Sequence, residues 1–296
     1  MRPRALIVLL VLLAAVPAAA EEPALADALN GTCQTPLRFG VSPYLDRNLL
    51  LAAYRPFADY LARELGMPVE LVVPERYADM RAMLRDGRLD LAYLTPLLYI
   101  QARRDDPGLR LLGADVWQGV SFYTGYLVVR SDSGLTSPTD LAGRRLALVD
   151  PQSASGWLLP RHELRARGLP VEGSSFEVVL SGDHTRALQM LLDGRVDAAA
   201  VSSNTLAMAR RDGLDGGRVR ILMKTGTIPP DVLCAASRLP DDLLARLTDL
   251  VQGIDTRSPL GRSVIPRATR LNGWRPGDPR EYDVIERLML EEESRP

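Results

Sequence analysis

Two blocks of alternating apolar runs and helical stretches constrain what this chain can fold into. In the first block, apolar runs at 37–41, 69–73 and 89–93 alternate with segments whose apolar residues recur at helical spacing. The second block repeats this pattern, with apolar runs at 145–149, 176–180 and 196–201. Strands that alternate with helices predict an α/β fold with parallel-rich sheets.

Two extended segments, near 123–130 and 224–233, join the blocks, and the second returns the chain to the first block. This order predicts two sheets in two lobes that two crossover segments connect. Lobe one is expected to comprise residues 37–127 and 229–296, and lobe two residues 128–228. Because ligands of open α/β sheets bind beyond the carboxyl ends of the strands, we expect a ligand cleft between the lobes.

The first twenty residues have the composition of a secretory signal peptide. A basic start at Arg2 and Arg4 precedes the apolar run 5–16 and the small residues 18–20. We therefore predict a signal peptide over 1–20 and a mature N-terminal tail over 21–36. Removal of the two arginines shifts the formal net charge from −1 to −3. An acidic exported protein is not expected to bind nucleic acid.

The chain has two cysteines, Cys33 and Cys234, and both follow the predicted cleavage site. They could form one disulfide or remain two free thiols. Export to an oxidising compartment favours the disulfide.

A serine-rich turn between a predicted strand and a predicted helix is the strongest candidate for a binding site. Ser153 and Ser155 are good helix-capping residues, Ala154 lies between them, and Gly156 lets the backbone approach closely. A helix start offers free N–H groups and the positive end of the helix dipole, which favour an oxyanion. The alternative is a plain helix cap. His184 lies at a similar strand-to-helix turn and could donate to an anion.

Hydroxyl side chains follow several strands and are expected to face the same cleft. Tyr44, Tyr93 and Thr95 lie at strand ends of the first block, and Tyr123 begins the first crossover. Each tyrosine could instead pack in the core. Their coincidence at cleft-facing positions favours a role in hydrogen bonding an oxyanion.

Motifs of catalysis and of cofactor binding are missing from the sequence. It has no cluster with metal-ligand spacing, no phosphate-binding loop and no nucleophile-elbow motif. We therefore expect no catalytic residue, no metal and no cofactor. A small hydrolase is the least favoured alternative.

The combination of these motifs resembles the phosphonate- and phosphite-type substrate-binding proteins of bacterial ABC transporters. The segments that carry the resemblance include the run GRLDLAYLTP at 87–96, the run DPQSASG at 150–156 and the run SGDH at 181–184. The resemblance implies a type II periplasmic binding fold, a periplasmic location, a monomer, and a membrane permease as partner. Relatives of the family also sense ligands for histidine kinases, one of them arsenite through cysteine, so a sensor kinase is the alternative partner.

The resemblance also implies which residues hold the ligand. The family's oxyanion site transfers to Ser153, Ser155, Gly156 and His184, with tyrosines from the other lobe. Ala154 replaces a hydroxyl residue that the family usually has. Members that bind aminoalkyl phosphonates place an acid at the stretch that is Ser202–Thr205 here, where this chain has none. The expected ligand is therefore phosphite, phosphate or a simple alkyl phosphonate, and not 2-aminoethylphosphonate.

Overall fold

The computed structural model describes residues 35–171, 175–214, 216–266, 269 and 271–294. The predicted signal peptide and all but the last two residues of the predicted tail lie outside these ranges. Across the described ranges, the helices are all too short or too polar to cross a membrane.

The first sheet has six strands in the order β11-β4-β10-β3-β1-β2. Its strand β1 pairs in parallel with both β2 and β3, as the β–α–β pattern predicts. Strand β10 lies antiparallel between β3 and β4, and β11 adds to the other edge of β4 in the antiparallel direction. The strands are β1 (Leu37–Val41), β2 (Val69–Val72), β3 (Leu91–Leu94), β4 (Arg110–Trp117), β10 (Val232–Ala235) and β11 (Leu271–Arg275).

The second sheet has five strands in the order β7-β6-β8-β5-β9. Strand β6 pairs in parallel with β7 and β8, whereas β5 pairs antiparallel with β8 and β9. The strands are β5 (Tyr123–Arg130), β6 (Arg144–Leu148), β7 (Phe176–Leu180), β8 (Ala198–Ser202) and β9 (Val219–Ile228).

The α/β class and the two sheets are confirmed, but both sheets are mixed rather than parallel-rich. The parallel pairs belong to the strands that helices connect. The antiparallel pairs arise where the chain crosses between sheets, because β5 and β10 enter their sheets against the direction of their neighbours. The predicted lobe boundary at 127 and 128 falls within β5, and the whole of that strand pairs in the second sheet.

Nine α-helices connect and cover the strands of the described chain, and their ends follow local chemistry. The Asp46 side chain accepts hydrogen bonds from the N–H groups of Asn48 and Leu49, both at 3.0 Å, and starts α1. Gly66, in the left-handed conformation, ends it. The helices are α1 (Arg47–Leu65), α2 (Tyr77–Arg85), α3 (Pro96–Asp105), α4 (Leu159–Arg165), α5 (His184–Leu192), α6 (Ser203–Arg211), α7 (Asp241–Gln252), α8 (Pro259–Val264) and α9 (Asp283–Glu293).

Two short connections carry the chain between the sheets. Residues 118–122 lead from β4 to β5, and residues 229–231 lead from β9 to β10. Val120, Phe122, Pro230 and Asp231 of these connections line one pocket. The crossovers therefore meet at the place where the candidate site lies.

Candidate ligand-binding site

The pocket lies between the two sheets, where the parallel strands of each sheet end, and residues of both sheets form its walls. Its volume is about 50 Å³, which is room for several water-sized groups. It therefore has room for a small molecule. The first-sheet side is formed by Tyr44, Leu45, Tyr93, Thr95, Asp115, Trp117, Pro230, Asp231, Thr269 and Leu271. The second-sheet side is formed by Tyr123, Ser153, Ser155, His184, Ser202, Asn204, Thr205 and Met208.

Seven of the nine residues predicted for the site line this pocket. They are Tyr44, Tyr93, Thr95, Tyr123, Ser153, Ser155 and His184. Ala154 and Gly156 do not line it. A Cβ atom on Gly156 would lie against Val149 Cβ and Cγ2, closer than real Cβ atoms approach, so packing onto the end of β6 requires the glycine. Ligand binding by any of these residues stays a prediction.

The second-sheet side is built on a helix start. The Ser153 hydroxyl accepts a hydrogen bond from the Gly156 N–H at 3.0 Å and caps the helical segment. One turn of π-helix at Ala154–Leu158 leads into α4. Such turns are frequent at functional sites, because they turn side chains away from the regular helical path.

Ser155 and His184 are buried and contact each other on this side. The Ser155 Oγ lies 3.2 Å from His184 Nε2, and the side chain of Asp183 caps the helix that His184 begins. Burial lowers the pKa of His184 to about 4, against a smaller opposing effect of the Ala200 backbone. The imidazole is therefore neutral at neutral pH. The His184 N–H donates to the Tyr44 carbonyl at 3.2 Å, so a main-chain bond joins the two sides of the pocket.

Tyrosines connect the rest of the pocket wall. The hydroxyls of Tyr44 and Tyr54 lie 3.1 Å apart, and the Tyr93 ring packs on both rings, with centroids 5.9 and 5.1 Å away. Burial raises the pKa of Tyr123 well above its usual value, and the neighbouring Ser155 hydroxyl acts in the opposite direction. The tyrosine hydroxyls therefore stay protonated and can donate to a ligand.

Two carboxyl groups that the sequence analysis did not select also line the pocket. The Tyr93 hydroxyl donates to Asp115 Oδ2, and Asp231 Oδ2 lies 3.4 Å from the same hydroxyl. The two residues are adjacent, because the Asp115 N–H donates to the Asp231 carbonyl at 3.0 Å. The sequence analysis considered an acid only at the stretch from Ser202 to Thr205, which carries none. Asp115 and Asp231 reach the pocket from other elements, so the absence of an acid at that stretch does not by itself exclude an aminophosphonate.

Burial raises the pKa of both acids. The pKa of Asp115 lies well above its usual value because of burial and of the charge on Asp231, with Tyr93 and the Trp274 indole acting in the opposite direction. Burial raises the pKa of Asp231 to about 7. Two such acids in contact hold at least one proton near neutral pH. A sequence signal did exist, since Asp115 interrupts the apolar β4.

Cys234 lies away from the pocket lining, fully buried in β10, with a free thiol. Cys33 lies outside the described residues. The predicted disulfide between the two cysteines therefore stays a prediction. Burial raises the pKa of this thiol well above its usual value, which disfavours the reactive thiolate. The described residues contain no group of three or more metal-ligating side chains.

Comparison with known proteins places these features in a family. A sequence profile described as that of the periplasmic substrate-binding protein of phosphonate ABC transporters matches residues 39–282. The phosphate-import protein PhnD of Mycolicibacterium smegmatis is 26% identical over 209 residues, which cover 67% of this chain and 65% of that protein. The phosphonates-binding periplasmic protein of Escherichia coli is 23% identical over 245 residues, which cover 81% of this chain and 71% of that protein.

The fold has a close counterpart among solved structures. The structure of PhnD1 from Prochlorococcus marinus in complex with methylphosphonate superposes with a TM-score of 0.80 at 17% identity, over 88% of this chain and 98% of that one. This likeness confirms the type II periplasmic binding fold. Because the profile matches most of the described chain, the protein belongs to the family of periplasmic substrate-binding proteins of phosphonate ABC transporters.

Proposed function

We propose that this chain is a periplasmic solute-binding protein that captures a small tetrahedral oxyanion and delivers it to the permease of an ABC importer. One observation carries the proposal. Ser155 and His184, both buried and in contact, lie at two helix starts on the wall of a pocket that tyrosines of the first sheet complete.

The helix start at Ser153 provides the chemistry that a phosphonate-type head group needs. The first N–H groups of a helix have no acceptor within the helix itself. Here the Ser153 hydroxyl accepts from one of them, the Gly156 N–H. Those N–H groups and the serine hydroxyls supply donors to tetrahedral oxygens. The neutral His184 ring carries one N–H, which can donate a hydrogen bond to an oxygen of the anion.

Family membership supports the partner and the location. The family description supports a periplasmic location and a membrane permease as the partner. We also expect the protein to be a monomer. A sensing role with a histidine kinase is the alternative that the resemblance left open.

The Ser155–His184 contact also invites comparison with a hydrolase, and the surroundings favour binding. A hydrolytic triad needs an acid on the second ring nitrogen of its histidine. Among the described residues, no carboxyl group forms a hydrogen bond with the His184 ring, and the acids of the pocket contact Tyr93 instead.

Calorimetry with phosphite, phosphate and methylphosphonate tests the proposal. We expect at least one of them to bind, and Ser155→Ala and His184→Ala each to weaken its binding about 10- to 100-fold, as for the loss of a hydrogen bond to a charged group. Ser263→Ala and His162→Ala are matched controls outside the pocket and should leave the affinity unchanged. Oxyanion binding that neither Ser155→Ala nor His184→Ala weakens contradicts the proposed site.

Two further measurements separate the alternatives. Turnover of a panel of phosphate and carboxylate esters that Ser155→Ala abolishes would establish a hydrolase. Deletion of the gene should abolish uptake of the bound oxyanion by cells, whereas unchanged uptake with loss of a transcriptional response would establish the sensor.

A further inference from the structure

We propose that Glu292 of α9 is a positioning residue for the pocket, although it does not line the pocket itself. It fastens α4, the helix that continues the serine turn, to the part of the molecule that carries the first sheet. This contact favours the conformation in which the two sides of the pocket enclose a ligand. The inference rests on the proposed oxyanion site and adds a group outside the pocket that sets its affinity.

Contacts with the first-sheet part of the molecule hold the beginning of α9. Just before the helix, the Tyr282 hydroxyl donates to the Pro230 carbonyl of the second crossover at 2.8 Å. The Tyr282 ring packs edge-on against Tyr99 of α3, with the ring centroids 4.8 Å apart. On the helix itself, Glu286 pairs with Arg103 of α3 at 3.0 Å. Because α3 follows β3, these contacts fix α9 to the first sheet.

The other end of α9 contacts the second-sheet part of the molecule. Glu292 Oε1 lies 2.5 Å from Arg165 Nη1, and Glu292 Oε2 lies 3.6 Å from Arg161 Nη2. Both arginines belong to α4, which lies between β6 and β7 of the second sheet. The Glu292 side chain is only 8% exposed, so water and salt screen this contact less than an ion pair at the surface. One helix therefore joins α3 to α4.

Arg161 connects this ion pair to the turn that carries Ser155. Its guanidinium carbon lies 4.6 Å from the centroid of the Trp157 ring, in a cation–π contact. Trp157 belongs to the π-helical turn Ala154–Leu158, and Met289 of α9 is buried in the same apolar cluster as residues of this turn. The acid of α9 therefore acts on the serine turn through Arg161 and Trp157, without touching the ligand.

The described conformation is one in which the two sides of the pocket lie close together. Residues of both sheets line the small pocket, and the His184 N–H bonds to the Tyr44 carbonyl between the two sides. A ligand enters such a pocket when the two parts move apart about the crossovers 118–122 and 229–231. Because α9 is fixed to the first sheet, this opening separates Glu292 from α4. An interaction made only in the closed form shifts the equilibrium toward that form.

Binding kinetics with methylphosphonate, phosphite and phosphate test the inference. Glu292→Gln should weaken the affinity about tenfold, the lower end for a hydrogen bond to a charged group, because the arginines are partly exposed. The loss should appear as faster dissociation, with the association rate and the calorimetric stoichiometry unchanged, because the contact forms once the ligand is enclosed. A variant that only misfolds would lower the stoichiometry instead.

Two further variants sharpen this measurement. Glu291→Gln removes the same charge from an exposed position of the same helix, so it is the matched control and should dissociate at the wild-type rate. Arg165→Lys keeps the positive charge beside Glu292 and should lose less affinity than Arg165→Gln.

A second measurement needs no ligand. In the unliganded protein, Glu292→Gln should speed hydrogen–deuterium exchange at residues 154–165, because the turn and α4 lose their contact with α9. Glu291→Gln should exchange like the wild type. A Glu292→Gln protein with unchanged dissociation, or with unchanged exchange at 154–165, overturns the positioning role and leaves the oxyanion site standing. If none of the three oxyanions binds to the wild type, the proposed function fails, and the exchange result alone decides the role of Glu292.

Discussion

The two sides of the pocket are built in different ways. On the second-sheet side, Ser153 and Ser155 belong to one short turn, and His184 begins the next helix of the same β–α–β arrangement. On the first-sheet side, Asp115 and Asp231 are far apart in the sequence and meet only because β10 pairs antiparallel with β4. A contiguous motif can be read from the sequence, whereas a site assembled from strand pairing cannot.

The sides also differ in the state of their polar groups. The serines of the second-sheet side have partners, since Ser153 caps a helix and Ser155 contacts His184. The first-sheet side keeps carboxyl and hydroxyl oxygens without partners. Burial leaves the histidine without its charge on one side and favours protonated acids on the other. Stability should therefore respond to pH with opposite signs on the two sides.

The largest expected effect is on the second-sheet side. Gly156→Ala places a Cβ atom against Val149, and the end of β6 must shift to accommodate it. We expect a loss of about 3 kcal/mol in the free energy of unfolding, at the upper end for overpacking, together with loss of ligand binding. Urea denaturation measures the first and calorimetry the second. A Gly156→Ala protein with unchanged stability contradicts the tight packing.

The next effect is the pH dependence of His184. Its folded pKa of about 4 lies below the unfolded value of 6.5, so the unfolded chain binds more protons between these values. Stability is lost as the pH falls from about 6.5 to 4, by about 3 kcal/mol in total. His184→Gln should remove this loss. Unfolding free energies of both proteins across this range provide the check, and parallel curves would show that the histidine is not buried as described.

Asp231 should give the opposite slope. Its folded pKa of about 7 lies above the unfolded value of 3.8, so its penalty grows as the pH rises from about 4 to 7 and stays constant above. Because the residue is partly exposed, we expect this ionisation to lower the free energy of unfolding by about 2 kcal/mol. Asp231→Asn should therefore be more stable than the wild type at pH 8 and equal to it at pH 4. A variant that is less stable at pH 8 would mean that the carboxylate has a partner.

The smallest effect separates capping from binding. The Ser202 hydroxyl accepts from the Thr205 N–H at 3.1 Å and starts α6, although the residue also lines the pocket. Ser202→Ala should cost about 1 kcal/mol of stability, as for other helix caps. Its effect on phosphonate affinity should be less than about threefold, well under one hydrogen bond to a charged group. A large loss of affinity would add Ser202 to the ligand site.

These differences explain how much the sequence could predict. The strand-to-helix turns at Ser153 and His184 were found because capping residues, glycine and strand periodicity all lie within a few positions. Tyr44 and Thr95 were found because they follow β strands, and Tyr93 because it lies near the end of one. Asp115 was missed because its neighbour across β4 depends on the register of a strand more than a hundred residues later. The mixed sheets were missed for the same reason.

The hydrogen bond from the His184 N–H to the Tyr44 carbonyl has a consequence for how variants are interpreted. Both atoms belong to the main chain, so an alanine scan of the pocket leaves this bond in place, and among the standard residues only proline at 184 would delete the donor. Side chains around the pocket can therefore be exchanged, by mutagenesis or by evolutionary drift, while the link between the two sheets is inherited unchanged.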